Sequence, residues 1–143
     1  MYNTVEKCII HLIQLKGVIF LISFDSFTAD GLLPIYLQII LFIKRGIIAG
    51  SIMNGEELPS RRVLSALLGV NPNTVQKAYA LLEEEGLIVS RSGAKSCISA
   101  DSKVVEKIKE EILLNDIKSI VSSLKQMGLS ASQAAELITN NWD

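Results

Sequence analysis

Residues 58–93 read LPSRRVLSALLGVNPNTVQKAYALLEEEGLIVSRSG, and this segment decides the fold. Ser60 is placed to cap a first helix, because its hydroxyl can accept a free backbone N–H of the opening turn. Gly69 ends that helix, since glycine takes the left-handed conformation without steric cost. Asn71 and Pro72 fit the N-cap and the first position of a second helix. The pattern predicts a helix-turn-helix, and a small hairpin follows it.

Both predicted helices carry apolar residues at helical spacing. The first has Val63, Leu64, Leu67 and Leu68, and the second has Val75, Ala78, Tyr79 and Leu82. We expect these residues to face a common core. Polar side chains on the second helix are then left pointing outward.

The outward set of the second helix comprises Asn73, Thr74, Gln76 and Lys77. Amide side chains pair with adenine edges, threonine contacts bases or the thymine methyl, and lysine suits guanine or phosphate. Any solvated helix also has a polar face, so the flanking charges matter. Arg61 and Arg62 begin the preceding helix, and Arg91 and Lys95 lie on the predicted hairpin. Basic residues that converge on one side of this motif favour DNA binding.

Four motifs resemble the winged-helix DNA-binding domain of GntR-family transcriptional regulators: PIYLQI, LPSRR, GVNPNTVQKAY and EEEGLIVSRSG. NPNTVQKAY together with a short C-terminal tail is similar to the YtrA-like branch. The resemblance implies a mainly α fold with a small β-wing. It implies a winged helix-turn-helix over residues 34–100, followed by a short two-helix tail over residues 101–143.

The resemblance also implies roles for individual residues. Arg62 would contact DNA, the start of the second motif helix would read the groove, and Gly93 would let the tip of the wing enter the minor groove. The predicted DNA-binding set is Arg61, Arg62, Asn71, Asn73, Thr74, Gln76, Lys77, Arg91, Ser92, Gly93 and Lys95. Pro72 and Gln76 stand where some relatives carry basic residues, so an operator sequence is not carried over.

The charge of the chain is close to neutral, with a net charge of −1 over 143 residues. Residues 34–100 hold seven Lys/Arg against five Asp/Glu, whereas the tail holds five against seven. The motif region is therefore the positive part, but only mildly so. Groove reading and dimerisation would have to supply the affinity that bulk charge does not.

Catalytic and metal-binding residues are sparse in this sequence. The two cysteines, Cys8 and Cys97, lack the spacing of a metal or redox pair. Cys97 is expected to be a small buried hydrophobe of the second wing strand. His11 is the single histidine and is surrounded by apolar residues. The sequence predicts no enzyme activity, no metal site and no cofactor.

Residues 1–33 are predicted to be an N-terminal extension. The apolar stretch 8–24 is interrupted by His11, Gln14 and Lys16, whereas a spanning helix needs about 20 predominantly apolar residues. A strand over residues 18–24 is the alternative, since the stretch is rich in β-branched and aromatic residues. Residues 1–17 would then be an upstream segment, either a real arm or the product of an over-called start codon. No signal peptide is evident, and a cytoplasmic protein without membrane attachment is expected.

The tail is predicted to form a long amphipathic helix that Gly128 ends, and a last helix with a capping box of Ser130 and Gln133. Its apolar stripe must pack on something, either its own domain or, as we favour, a second subunit. The leading hypothesis is a homodimeric repressor that binds a palindromic double-stranded DNA operator. The resemblance implies an operon such as that of an ABC transporter, and the sequence identifies no effector. The alternatives are a winged-helix protein-interaction module without DNA binding, and a membrane-associated regulator.

Overall fold

The computed structural model describes residues 21–91 and 95–143. The helices in these residues are α1 (Ile35–Ala49), α2 (Arg61–Leu68), α3 (Pro72–Glu84), α4 (Ser102–Gln126) and α5 (Ala131–Asn140). The strands are β1 (Glu57–Leu58), β2 (Ile88–Arg91) and β3 (Lys95–Ile98). The predicted fold class, mainly helical with a β-wing and two helices after it, is confirmed. The chain divides between Val105 and Glu106 into two compact units.

The first unit is organised around α3, which packs against both α1 and α2. Its core is apolar, and its largest fully buried side chains are Tyr79, Ile39, Ile43, Leu58, Leu64, Leu82, Leu87 and Val75. The predicted inner face of α3 is confirmed, because Val75, Ala78, Tyr79 and Leu82 are all buried. The opposite side of α3 is thereby directed outward.

The strands form one antiparallel sheet in the order β1-β3-β2. Residues 88–91 pair with residues 95–98, so that Ile88 lies opposite Ile98 and Arg91 opposite Lys95. β1 has no counterpart among the elements predicted from the sequence. It is two residues long and pairs with Cys97 and Ser96 of β3. So short a strand gives no alternation to recognise and forms only because β3 lies beside it.

The predicted helix signals of the motif are confirmed. The Ser60 side chain accepts a hydrogen bond from the Val63 N–H at 3.2 Å. Gly69 lies in the left-handed region with φ 64° and is the C-cap of α2. The Asn71 side chain accepts from the Asn73 N–H at 2.8 Å, and Pro72 is the first residue of α3. The turn between α2 and α3 is therefore determined by short-range contacts that can be read from the sequence.

Two details of the predicted core are wrong. Val63 and Leu67 are 53% and 57% exposed, whereas Leu64 is fully buried. The reason is that α2 has only eight residues and meets α3 along the stripe of Leu64. Apolar residues on the other side of a short surface helix remain in solvent, which is common in folded proteins. Pro34 precedes α1 as its N-cap residue.

The segment before α1 is anchored by aromatic packing. The Phe24 ring stacks on Phe42 of α1 with 4.9 Å between centroids, and Phe27 meets Phe42 edge-on at 5.6 Å. Leu21 forms a parallel bridge with Glu57 of β1. Of the strand predicted over residues 18–24, residues 18–20 lie outside the described residues, Leu21 forms this single bridge, and residues 22–24 are not in a strand. Residues 1–17, with Cys8 and His11, also lie outside them.

The second unit contains most of α4 and all of α5. Ser130 and Gln133 form the predicted capping box, in which each side chain accepts from the other residue's backbone N–H. Many of its large apolar side chains are exposed: Leu113, Leu114, Ile117, Ile120, Val121, Met127, Leu137, Ile138 and Trp142. In the part of the chain that the structure describes, no helix is long and apolar enough to cross a membrane.

Candidate nucleic-acid interface

The N-terminal half of α3 presents a polar surface. Asn73, Gln76 and Lys77 are exposed, and Thr74 is half-buried. We call Asn73, Gln76 and Lys77 the reading face. Its residues lie opposite the buried stripe of α3, so the packing that fixes the helix also directs these side chains outward.

Asn71 has a different place from the other predicted contacts on α3. Its side-chain oxygen is engaged by the Asn73 N–H, and its carbonyl accepts from the Thr74 N–H at 2.9 Å. The residue is exposed and lies at the positive end of the helix. What it offers outward is the NH2 of its amide, because the N–H groups of Asn73 and Thr74 already donate to Asn71 and Pro72 has none.

The two arginines that precede the motif are not equivalent. Arg62 is exposed. Arg61 is half-buried, and its guanidinium carbon lies 5.7 Å from the centroid of the Tyr79 ring. The Arg61 Nε is buried and has no hydrogen-bond partner among the described residues. Arg61 thus packs against the Tyr79 ring of α3, whereas the charged group of Arg62 lies in solvent.

Lys77 contacts an aromatic residue that sequence reasoning did not place in the site. The Lys77 Nζ lies 3.8 Å from the centroid of the Tyr36 ring in the first turn of α1. A cation over an aromatic face is attracted by the ring quadrupole. The lysine remains exposed. The contact with Tyr36 therefore keeps its ammonium at the surface, close to the first turn of α1. The sequence shows an aromatic residue two positions after Pro34, but no spacing rule predicts that this residue contacts a lysine of α3.

The wing, which comprises β2, β3 and the residues between them, carries the remaining predicted contacts. Arg91 and Lys95 are exposed and lie opposite each other at its outer end. The Lys95 Nζ is 3.5 Å from a carboxylate oxygen of Glu57 on β1. The Lys95 side chain stays half exposed in this pair, so the contact does not remove the lysine from solvent. Ser92 and Gly93 lie outside the described residues.

Tyr79 links the two motif helices from inside. Its hydroxyl donates a 2.7 Å hydrogen bond to the carbonyl oxygen of Pro59, the residue before the Ser60 cap. Burial raises the pKa of Tyr79 well above its usual range, and the nearby charge of Arg61 opposes this effect. The phenol therefore stays protonated and remains a donor.

Three consecutive carboxylates at the end of α3 are used differently. Glu83 Oε1 accepts the Ser90 N–H of β2 at 3.0 Å. Hydrogen bonds from the Ser90 side chain and backbone lower the pKa of Glu83, so it is ionised. Glu85 forms an ion pair with Lys44 of α1. Glu84 is exposed.

The structure brings the predicted residues together in three groups. The first group is the N-cap and first half of α3, with Asn71, Asn73, Thr74, Gln76 and Lys77. Arg61 and Arg62 begin α2, and Arg91 and Lys95 face each other across the wing. Among residues 21–91 and 95–143, no cluster of His, Cys, Asp and Glu could hold a metal ion. The exposed chemistry is that of amides and cations, which suits bases and phosphates.

Comparison with protein families gives one match that covers this surface. Residues 35–96 match the family of bacterial regulatory proteins called gntR. The matched range begins with α1 and ends within β3, so it includes α2, α3 and the wing.

Individual relatives extend the match beyond the motif. The chain is 30% identical over 103 residues to the HTH-type transcriptional regulator YhcF of Bacillus subtilis, covering 72% of this chain and 85% of that protein. It is 38% identical over 101 residues to the HTH-type transcriptional repressor YtrA of Bacillus subtilis, covering 71% and 73% respectively. The solved structure of a GntR family transcriptional regulator from Listeria monocytogenes superposes with a TM-score of 0.69 at 29% identity, over 78% of this chain and 98% of that one.

Proposed function

This chain belongs to the GntR family of bacterial regulatory proteins, and on that premise we propose that it is a homodimeric repressor that binds a palindromic operator. Membership makes it a DNA-binding transcriptional regulator. Its relatives regulate transcription and are not enzymes, which confirms the prediction that it has no enzymatic function. The repressor role, the form of the operator and the dimer are the proposed parts.

The observation that carries the proposal is the reading face of α3. Asn73 and Gln76 are exposed amides on the first half of a helix whose other side is locked in the core. A recognition helix enters the major groove of B-DNA with its exposed polar side towards the bases. Each of the two amides can then make a bidentate contact with adenine. We assign base contacts to Asn73 and Gln76. Thr74 is assigned to a base or a phosphate.

Phosphate contacts are assigned to the surrounding residues. Arg62, Lys77, Arg91 and Lys95 have exposed cationic groups around the reading face. Asn71 offers the NH2 of its exposed amide at the positive end of α3. Arg61 stays in the proposed surface because its side chain is only half-buried. Ser92 and Gly93 are assigned to the wing tip in the minor groove, as the family resemblance implies.

The proposed dimer uses residues 101–143. Of the 25 residues of α4, only Ile108 is buried, and apolar side chains recur along the helix at three- and four-residue steps. Patches of this kind on a soluble protein mark interaction sites. A second copy of the tail is the proposed partner, because helix-turn-helix proteins bind two half-sites through a twofold dimer.

Repression is supported by the similarity to a protein described as a transcriptional repressor. The resemblance to the YtrA-like branch points to an operon such as that of an ABC transporter. Residues 34–100 are the proposed DNA-binding domain, and residues 1–33 are a proposed N-terminal extension.

Selection of bound sequences from a random DNA pool tests the proposal. The full chain should enrich a palindrome whose half-sites lie about one helical turn, roughly 34–36 Å, apart. Enrichment of a single unrepeated half-site would contradict the dimer while leaving sequence-specific binding in place. Absence of any enriched sequence would contradict operator reading altogether.

A further inference from the structure

The wing is tied to the recognition helix by one carboxylate. β2 is an edge strand of the sheet, and its Ser90 N–H donates to Glu83 Oε1 at 3.0 Å instead of to another strand. Edge strands expose unpaired N–H groups unless something covers them. The Glu83 carboxylate accepts the Ser90 N–H and so satisfies this edge donor.

Glu83 belongs to the same helix as the reading face. It lies seven residues after Gln76, which is about 10 Å along an α-helix. Between them, Tyr79 is fixed by its bond to Pro59, and after them Glu85 is paired with Lys44 of α1. The C-terminal half of α3 is therefore rigidly held. The Ser90 backbone of β2, which is bonded to Glu83, is therefore held in a fixed position relative to that helix.

Ser90 is adjacent to Arg91, the exposed cation at the outer end of β2. We propose that Glu83 is a positioning residue, which holds β2 so that Arg91 reaches the DNA in register with Asn73 and Gln76. The proposal rests on the wing contact assigned to Arg91 above. Glu83 itself touches no DNA in this arrangement.

If Glu83 positions the wing, its removal should weaken DNA binding, whereas electrostatics alone predicts that its removal strengthens binding. An anionic side chain near DNA repels phosphate, so its loss should strengthen binding. A glutamate near a helix C-terminus also opposes the helix dipole, so its loss should not weaken α3. Weaker DNA binding after truncation of Glu83 would therefore come from a lost contact of this carboxylate, either its bond from the Ser90 N–H or its electrostatic interaction with Arg61. Glu83→Gln separates the two, because it removes the charge that acts on Arg61 but keeps an oxygen that can accept the Ser90 N–H.

Three variants of the full chain test the proposal, with the operator selected as above and the dissociation constant measured at fixed salt. Glu83→Ala should weaken binding by about threefold to tenfold, the scale of one contact partly lost. Glu84→Ala removes the same charge one residue away, and its affinity should be unchanged or higher. Glu83→Gln should retain most of the wild-type affinity, because its amide oxygen still accepts the Ser90 N–H. Equal affinities for Glu83→Ala and Glu84→Ala would overturn the proposal, and thermal unfolding of each variant excludes loss of the fold as the cause.

A double-mutant cycle with Arg91→Ala then locates the effect in the wing. Arg91→Ala should weaken binding in the wild type and weaken it less in the Glu83→Ala background, because the misplaced arginine no longer contributes. The same loss in both backgrounds would overturn the role of Glu83 but keep the wing contact. If Arg91→Ala had no effect in the wild type, the assigned wing contact would be wrong, and the Glu83 proposal, which rests on it, would fall as well.

Discussion

The Tyr79 hydroxyl donates to the Pro59 carbonyl oxygen at 2.7 Å, across 20 residues of sequence. Pro59 is buried and precedes the cap of α2, whereas Tyr79 lies in the middle of α3. The bond therefore fixes the point where the chain enters the motif to the helix that carries the reading face.

Tyr79→Phe should lower the free energy of unfolding by about 1–2 kcal/mol, because it leaves the buried Pro59 carbonyl without its donor. Urea unfolding measures the change. Tyr36→Phe is the matched control, since it removes a phenolic hydroxyl but keeps the ring under Lys77. Equal changes in the free energy of unfolding for the two substitutions would mean that the hydrogen bond to Pro59 contributes no stability beyond that of the Tyr36 hydroxyl.

Alkaline pH should weaken the fold through the same residue. The pKa of Tyr79 is raised in the folded state by burial, whereas the unfolded chain loses this proton at about pH 10. The stabilisation is fully present below that pH and is lost as the pH rises above it, because only the unfolded state then releases the proton. The stability difference between wild type and Tyr79→Phe should therefore be constant up to about pH 10 and shrink as the pH rises above it. A constant difference would contradict this linkage.

Truncation of Arg62 and of Arg61 should have different consequences. Arg62→Ala should weaken DNA binding uniformly across sequences and reduce the salt slope by about one unit, as expected for a phosphate contact. It should leave the unfolding temperature unchanged, because Arg62 is exposed. Arg61→Ala should lower stability by about 1 kcal/mol through loss of its packing on Tyr79. Unchanged affinity and salt slope for Arg62→Ala would remove this residue from the interface.

Asn73→Ala and Gln76→Ala should relax base preference at separate operator positions. A lost bidentate contact costs about 1–3 kcal/mol of discrimination at the base concerned. Repeating the random-pool selection with each variant measures this directly. Preferences identical to those of the wild type for both variants would place the reading surface elsewhere.

Ile117→Asp or Ile120→Asp should dissociate the dimer, because each places a charge in the apolar stripe of α4. Affinity for the palindrome should fall towards that of a half-site, by a factor of about 10²–10⁴. Ser122→Asp adds the same charge on the side of the helix opposite Ile117 and Ile120 and is the control. Light scattering gives the mass of each variant, and a dimer that persists in the two isoleucine variants would exclude the tail stripe.

The sequence by itself determined the parts of this protein that depend on neighbours in the chain. Ser60, Gly69, Asn71 and Pro72 set the helix ends through bonds and conformations that span four residues or fewer. The inner face of α3 followed from its period, because one stripe of a helix must be buried. The same local rules predicted the capping box of the last helix, and the motif residues carried the family resemblance.

The tertiary structure alone decided which partners distant residues would have. Helical spacing made Val63 and Leu64 equal candidates for the core, but only Leu64 meets α3. Arg61 and Lys77 read alike as free cations, yet each lies over an aromatic ring from another helix. The Glu83–Ser90 bond and the two-residue strand β1 likewise depend on segments that approach only after folding. Sequence spacing encodes direction within one element, whereas contacts between elements depend on how the whole core packs.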